Sequence, residues 1–184
     1  MDTQKNMLTR AEINEYIAKH YRPDDEENKG FLSVFKEPRT YIPGYRTAYT
    51  APSGDMLKRL LDGIRSQLEL TFSEKLLELI SKSGQKPSAI YKKADITKDH
   101  FAKIKGNKNY RPSKDTAVAF AIALHLNLNE TEDLIGRAGY TLSNSIKKDV
   151  IVRCYIDAKV FNIEAINITL DEYGYAPLTG KQYS

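Results

Sequence analysis

The side chains best suited to chemistry in this sequence are basic, and they are concentrated between residues 82 and 114. This stretch holds ten basic and two acidic residues, a net charge of +8, whereas the whole chain carries +4. The basic residues are Lys82, Lys86, Lys92, Lys93, Lys98, Lys103, Lys105, Lys108, Arg111 and Lys114. A local basic patch attracts phosphate groups and is typical of proteins that bind nucleic acids. The pattern predicts polyanion binding, and a solvated lysine-rich surface is the simpler alternative.

The sequence contains few candidate residues for catalysis or for binding a metal or cofactor. The single cysteine, Cys154, falls in an apolar helical pattern, which predicts a buried, inert thiol. His20 and His125 have no second ligand at metal spacing. The sequence contains no glycine-rich phosphate loop, zinc-binding helix motif or nucleophilic serine elbow. We therefore expect no catalytic activity, no metal, no cofactor and no ligand pocket.

Apolar residues interleaved with the lysines predict a helix-turn-helix over residues 90 to 104. Those residues are Ile90, Ala94, Ile96, Phe101 and Ile104. On two helices that cross at about 90–120° they would converge into a small core, with Ile96 at the corner. Pro87 favours the first turn of the first helix, and Thr97 can cap the second, from Lys98 to Lys105, which Gly106 would end.

This arrangement assigns candidate contacts with DNA. The first residues of the second helix enter the major groove in known helix-turn-helix proteins, which places Lys98, Asp99, His100 and Lys103 at base edges or phosphates. Thr97, at the helix start, could hold a phosphate. The remaining predicted DNA-binding residues are Lys86, Lys105, Asn107, Lys108, Asn109, Tyr110 and Arg111, of which the last five form a polar, basic loop suited to the phosphate backbone.

The flanking sequence predicts further helices and no strand. Thr9 and Thr71 begin capping boxes, Asp55 can cap a helix with a leucine stripe, and Ser113 can cap a strongly apolar central helix. Residues 129–132 are a further start signal, a helix is expected over 145–160 with Ile146 inward, and Asn162 can cap a last helix. The sequence thus predicts an all-α fold: a helix-turn-helix core with extra N- and C-terminal helices.

The chain divides by composition into three parts. Residues 1–54 combine a short helix with a Tyr/Pro-rich strap, which could lie over the helical body or dock a protein partner. Residues 55–174 form the helical domain, and residues 175–184 form a tail. No apolar run approaches the length that a membrane span needs, and a lone cysteine suits a reducing compartment, so we expect a cytoplasmic protein.

Residues 75–138 resemble the five-helix DNA-binding domain of the Cro/phage-repressor-type (Xre) family. An apolar helix (Leu76-Leu77-Glu78-Leu79-Ile80) leads into the helix-turn-helix, Gly106 follows the second helix, and Pro112-Ser113 begins a hydrophobic helix. The resemblance covers 64 of 184 residues. The sequence departs from that family at Asp95, where a turn glycine is usual, at Tyr91, where a small residue is usual, and in its longer loop after Gly106.

The resemblance implies a transcriptional regulator of bacterial or phage type that binds DNA as a dimer at two half-sites. The same stretch also resembles helix-turn-helix-like domains of bacterial defence and mobile-element proteins. A protein-interaction module in a defence or toxin-control system, which docks its partner through residues 30–54, is therefore an alternative. RNA binding through the same basic face is a third.

Overall fold

The computed structural model describes residues 7–22, 55, 58, 59, 62 and 69–180. Eight α-helices have both of their ends in this part of the chain, and none of the described residues is in a β-strand, which confirms the predicted all-α class there. They are α1 (Arg10–His20), α2 (Phe72–Lys82), α3 (Pro87–Lys93), α4 (Lys98–Gly106), α5 (Lys114–Ala123), α6 (Leu128–Gly136), α7 (Lys147–Asp157) and α8 (Ile163–Glu172). A helix with the length and apolarity to cross a membrane is absent from the same residues.

Helix α5 is the centre of the core. Every residue from Thr116 to Ala123 is buried, so this helix has no solvated face of its own over these two turns. It packs against α3, α6 and α8. The predicted cap is confirmed, because the Ser113 hydroxyl accepts a hydrogen bond from the Thr116 amide. A central apolar helix of this kind fixes the position of the helix-turn-helix through its contact with α3.

Helix α1 packs on α7 and belongs to the same compact unit as residues 70–180. Its predicted capping box is present, with Thr9 and Glu12 bonded reciprocally. Ile13 is fully buried, and the Tyr16 hydroxyl donates to the Asp157 carboxylate. Burial of the phenol and this bond raise the pKa of Tyr16. The sequence groups this helix with the Tyr/Pro-rich residues, but its packing places it with the C-terminal helices.

Two predictions in the C-terminal half are wrong in detail. The N-cap of helix α6 lies two residues before the predicted cap at Asn129, because Asn127 and Glu130 form the capping box. Helix α7 begins at Lys147 and ends at Asp157, so it is shorter than the predicted 145–160. Ile146 precedes it with an exposed fraction of 48%, so this side chain does not point inward.

The first part of the predicted tail is docked on the helices. Leu178 is buried, and the side chain of Asn167 on α8 holds the segment at two points. Its Oδ1 accepts from the Leu178 amide at 2.9 Å, and its Nδ2 donates to the Thr179 carbonyl at 3.1 Å. The segment up to Gly180 therefore belongs to the folded body.

Residues 24–69 form a second compact unit. The structure describes five of its residues: Asp55, Lys58, Arg59, Asp62 and Glu69. The first four are helical, and an exposed ion pair of 3.0 Å joins Arg59 Nη2 to Asp55 Oδ2. The predicted strap at residues 30–54 and the leucine stripe that would follow Asp55 lie outside the described residues.

Candidate nucleic-acid interface

Helices α3 and α4 are joined by a four-residue turn from Ala94 to Thr97 and share a small apolar core. The five predicted core residues of the two helices and the turn are all buried. Tyr91, which the sequence places at the helix crossing, is half-buried and packs on Phe101 with 5.4 Å between ring centroids. Asp95 has φ +53, a left-handed conformation that asparagine and aspartate adopt more readily than most residues with a side chain. This aspartate therefore closes the turn where the Xre family usually has glycine.

Two of the predicted site residues in the first turn of α4 are exposed to solvent. The Thr97 hydroxyl accepts from the His100 amide at 3.2 Å, which confirms it as the cap of α4. Lys98 and Asp99 follow it and are exposed. A capped helix start presents amide N–H groups and a partial positive charge, which favour a phosphate oxygen.

The basic residues of α4 are exposed. Lys98, Lys103 and Lys105 form no ion pair with any described residue. Other lysines of the same unit do form such pairs, for example Lys75 with Asp133 at 3.3 Å and Lys148 with Asp115 at 2.9 Å. Lysines in the last turn of a helix also interact favourably with its dipole, and Lys103 and Lys105 have that role in α4 as well. Lys98 lies at the opposite end of α4, where the helix dipole does not favour a cation.

The loop after α4 is an ordered turn rather than a loose arm. The Asn107 carbonyl accepts from the buried Ser73 hydroxyl at 3.2 Å and from the Tyr110 amide at 2.9 Å. The Asn107 side-chain oxygen accepts from the Asn109 amide at 3.0 Å. These bonds leave Lys108, Asn109 and Arg111 exposed on a fixed backbone. The sequence pattern does not identify Ser73; its one signal is a small polar residue within the apolar start of α2.

His100 and Tyr110 form a side-chain pair instead of an open recognition surface. His100 Nε2 lies 3.1 Å from the Tyr110 hydroxyl, and both residues are half-buried. Their rings meet edge to face, with centroids 6.0 Å apart. This pair ties the loop back to α4, so its main structural effect is to hold Lys108 and Arg111 beside the helix.

The remaining basic residues of the 82–114 stretch have other positions. Lys82 is paired with Glu78, and Lys114 is paired with the buried Asp149. The Lys93 ammonium donates to the Gln85 side chain at 2.9 Å, and Lys86 is the exposed N-cap of α3. The +8 stretch is therefore not one uniform surface. Lys86, Lys92 and Lys93 form no ion pair with described residues either, but they lie on α3 or at its N-cap. The basic residues on α4 and in the loop after it, here called the α4 surface, are Lys98, Lys103, Lys105, Lys108 and Arg111.

Comparison with known proteins does not identify a family for this arrangement. The chain matches no protein-family model, no curated protein and no solved structure. The interpretation of the α4 surface therefore depends on its own charges and geometry.

Proposed function

We propose that this protein binds double-stranded DNA through the α4 surface and acts as a regulator of the helix-turn-helix type. The observation that carries the proposal is the exposure of Lys98, Lys103 and Lys105 on one short helix without carboxylate partners among the described residues. Unpaired ammonium groups in water have no strong structural role, whereas the same groups can each neutralise a DNA phosphate. The second helix of a helix-turn-helix is the element that such proteins insert into the major groove.

Two structural features support the proposal independently of charge, and a third is the position of two further basic residues. Five helices, α2 to α6, lie in the stretch that resembles the Xre domain. The predicted core of the helix-turn-helix is buried, and Asp95 takes the left-handed conformation that the turn needs. The ordered loop places Lys108 and Arg111 beside α4, where they suit backbone contacts that position a protein without reading sequence.

The test is a salt titration with the full chain. Binding of a fluorescent random-sequence duplex of about 30 base pairs, long enough for two half-sites one turn apart, would be followed by anisotropy between low and physiological salt. A Lys98→Gln, Lys103→Gln, Lys105→Gln variant should bind about ten- to a hundredfold more weakly at physiological salt. The slope of the logarithm of its association constant against the logarithm of the salt concentration should be shallower by about 0.9 for each DNA phosphate that the variant no longer neutralises.

A matched variant separates local contacts from net charge. Lys19→Gln, Lys147→Gln, Lys159→Gln removes the same number of charges from exposed positions outside the α4 surface. It should keep the wild-type salt slope. If both triple variants bind equally weakly, net charge alone explains binding; if both bind as the wild type does, the α4 surface is not an interface.

Two further readouts define the ligand. Selection of genomic fragments at physiological salt should enrich an inverted repeat if a dimer reads two half-sites. An RNA duplex of the same sequence should bind more weakly, because the deep, narrow major groove of A-form RNA does not admit a helix. Tighter binding to the RNA would replace this proposal with RNA recognition through the same lysines.

A further inference from the structure

A cleft of about 880 Å³ lies between the C-terminal ends of α3 and α5, the α7–α8 turn and one face of α8. No ligand pocket is predicted from the sequence, but the volume of this cleft is within the range of about 300–1,000 Å³ that is typical of small-molecule sites. The residues that form it are far apart in the sequence, so no local pattern indicates them. The cleft does not include Lys98, Lys103 or Lys105 of the α4 surface.

Two parts of the cleft wall differ in net charge. The C-terminal end of α3 and the α7–α8 turn bring three ammonium groups, those of Lys92, Lys93 and Lys159, and the Asp95 carboxylate follows α3. The charged groups of α8 are all carboxylates, those of Glu164, Asp171 and Glu172, which recur on one helix face over about 12 Å. None of these seven residues forms an ion pair with any residue that the structure describes. The first part of the wall is therefore net basic, and the second is acidic.

The surface between the charged sides is apolar and aromatic. Phe161 stacks on His125 with 4.8 Å between ring centroids and 16° between ring planes. Ile168, on α8, has an exposed fraction of 43% and is one of four large apolar side chains with an exposed fraction of 38% or more among the described residues. An apolar body that covers Ile168 and Phe161 would remove this surface from water.

Three helix ends meet at this cleft. Three described non-glycine residues have positive φ: Asp95 at 53°, His125 at 57° and Lys159 at 57°. Each follows the end of a helix that closes with the paired backbone bonds of a Schellman motif, for example from the Ile96 amide to the Tyr91 carbonyl. The left-handed conformation therefore ends each helix, and it brings all three residues to the wall of the cleft.

We propose that this cleft binds a short apolar peptide with both ends charged. The carboxylate end of the peptide contacts Lys93 and Lys159, the ammonium end contacts Asp171 and Glu172, and the apolar side chains cover Ile168 and Phe161. A single small anion or cation would satisfy one side and meet like charges on the other. A ligand with separated charges satisfies both sides.

The experiment uses three probes that differ only at their ends. Trileucine, N-acetyltrileucine and trileucinamide would be titrated into the full chain, with amide chemical shifts recorded by NMR. Trileucine should bind with shifts at residues 92–95, 125 and 159–172. Blocking either end should weaken binding by about tenfold, because each removes one charge-assisted contact.

Variants of exposed residues then assign each end to its side. Lys93→Gln with Lys159→Gln should weaken the binding of trileucine but leave the binding of trileucinamide unchanged. Asp171→Asn with Glu172→Gln should weaken the binding of trileucine but leave the binding of N-acetyltrileucine unchanged. Lys19→Gln with Lys147→Gln, which removes two exposed charges elsewhere, should change nothing. Equal binding of all three probes, the reverse assignment, or no binding of trileucine up to about 10 mM would overturn the proposal. Because these titrations contain no DNA, their outcomes are independent of the function proposed for the α4 surface.

Discussion

The carboxylate of Asp95 lies against the backbone of Gly180: a Cβ atom added at Gly180 would come within 2.8 Å of Asp95 Oδ2. Asp95 is in the turn of the helix-turn-helix, and Gly180 is in the segment that Asn167 holds on α8. Gly180 also has φ +89, which residues with a side chain rarely adopt. The C-terminal segment thus contacts the turn between α3 and α4 at a point where the left-handed backbone favours glycine.

Substitution of Gly180 by alanine should destabilise the protein. The added Cβ meets a carboxylate at less than contact distance, and the left-handed backbone is strained as well. We expect the free energy of unfolding to fall by about 1–2 kcal/mol, measured by urea denaturation. The decrease is limited because the segment can detach instead of bearing the full strain.

Gly136→Ala is the matched control for that substitution. A Cβ at Gly136, in the last turn of α6, meets nothing within 4 Å. Alanine also has the higher helix propensity, so this variant should be as stable as the wild type or more stable. Asp95→Gly should restore part of the stability that Gly180→Ala removes, since it takes away the carboxylate. Equal effects of Gly180→Ala in both backgrounds would show that the two residues do not interact.

Asn167→Ala should release the C-terminal segment from α8. Alanine removes both the acceptor for the Leu178 amide and the donor to the Thr179 carbonyl, and Leu178 would no longer be anchored. We expect the free energy of unfolding to fall by about 1–3 kcal/mol and hydrogen exchange to become faster at the Leu178 amide, with the Leu124 amide unchanged. Asn129→Ala, on the exposed surface of α6, should affect neither quantity.

Local sequence rules predict much of this fold because helix ends are decided by neighbouring residues. Thr9, Thr71, Thr97, Ser113 and Asn162 cap the helices as predicted, since a cap needs only its own side chain and an amide two or three residues away. The rule also fits two overlapping starts at α6, where both Asn127 and Asn129 have a glutamate three residues later. The prediction at Asn129 is wrong because local chemistry does not distinguish the two.

The site is harder to predict because its details depend on contacts between distant residues. The exposed positions of Lys98, Lys103 and Lys105 follow from helical periodicity. The bond from Ser73 to the Asn107 carbonyl joins residues 34 positions apart, and no spacing rule indicates it. The cleft likewise combines residues from 92 to 172, which only the packing of both α3 and α8 on α5 brings together.

The stability of the protein should decrease below neutral pH through His125. Partial burial of the imidazole, and to a smaller extent the Lys93 charge, lower the pKa of His125 below its ordinary value. Between the lowered pKa of the folded protein and the ordinary pKa of the unfolded chain, the unfolded chain binds more protons than the folded protein. The contribution of His125 to stability is therefore present above about pH 6.5 and is lost as the pH falls. Lys93→Gln should raise the pKa of His125, as measured by an NMR titration of its ring protons.

Two controls accompany that titration. Lys103→Gln removes a lysine that does not line the cleft, and it should leave the pKa of His125 unchanged. His125→Asn replaces the titrating group with a residue that tolerates the left-handed backbone, and it should flatten the pH dependence of stability in this range. A His125→Asn variant with the wild-type pH dependence would assign the effect to another group.

The buried hydroxyls of Tyr155 and Thr169 should be energetically coupled. Both residues are fully buried, the two oxygens lie 2.7 Å apart, and the Tyr155 hydroxyl also lies 3.3 Å from the Ala165 carbonyl. Tyr155→Phe leaves the Thr169 hydroxyl without its partner, and Thr169→Val removes the closer of the two oxygen atoms that surround the Tyr155 hydroxyl. Each should cost about 1–2 kcal/mol, because a buried polar group that loses a hydrogen bond remains desolvated.

The double variant distinguishes this coupling from general damage to the core. With both hydroxyls removed, no polar atom of the pair remains unsatisfied, so its cost should be smaller than the sum of the two single costs by about 0.5–1.5 kcal/mol. In a control double-mutant cycle, Tyr155→Phe is combined with Thr141→Val, at an exposed threonine before α7. Here the stability costs of the two single variants should add up to the cost of the double variant. Urea denaturation of the wild type and these variants provides both cycles. Additivity in the Tyr155–Thr169 cycle would show that packing of the ring, rather than the hydrogen bond, holds α7 against α8.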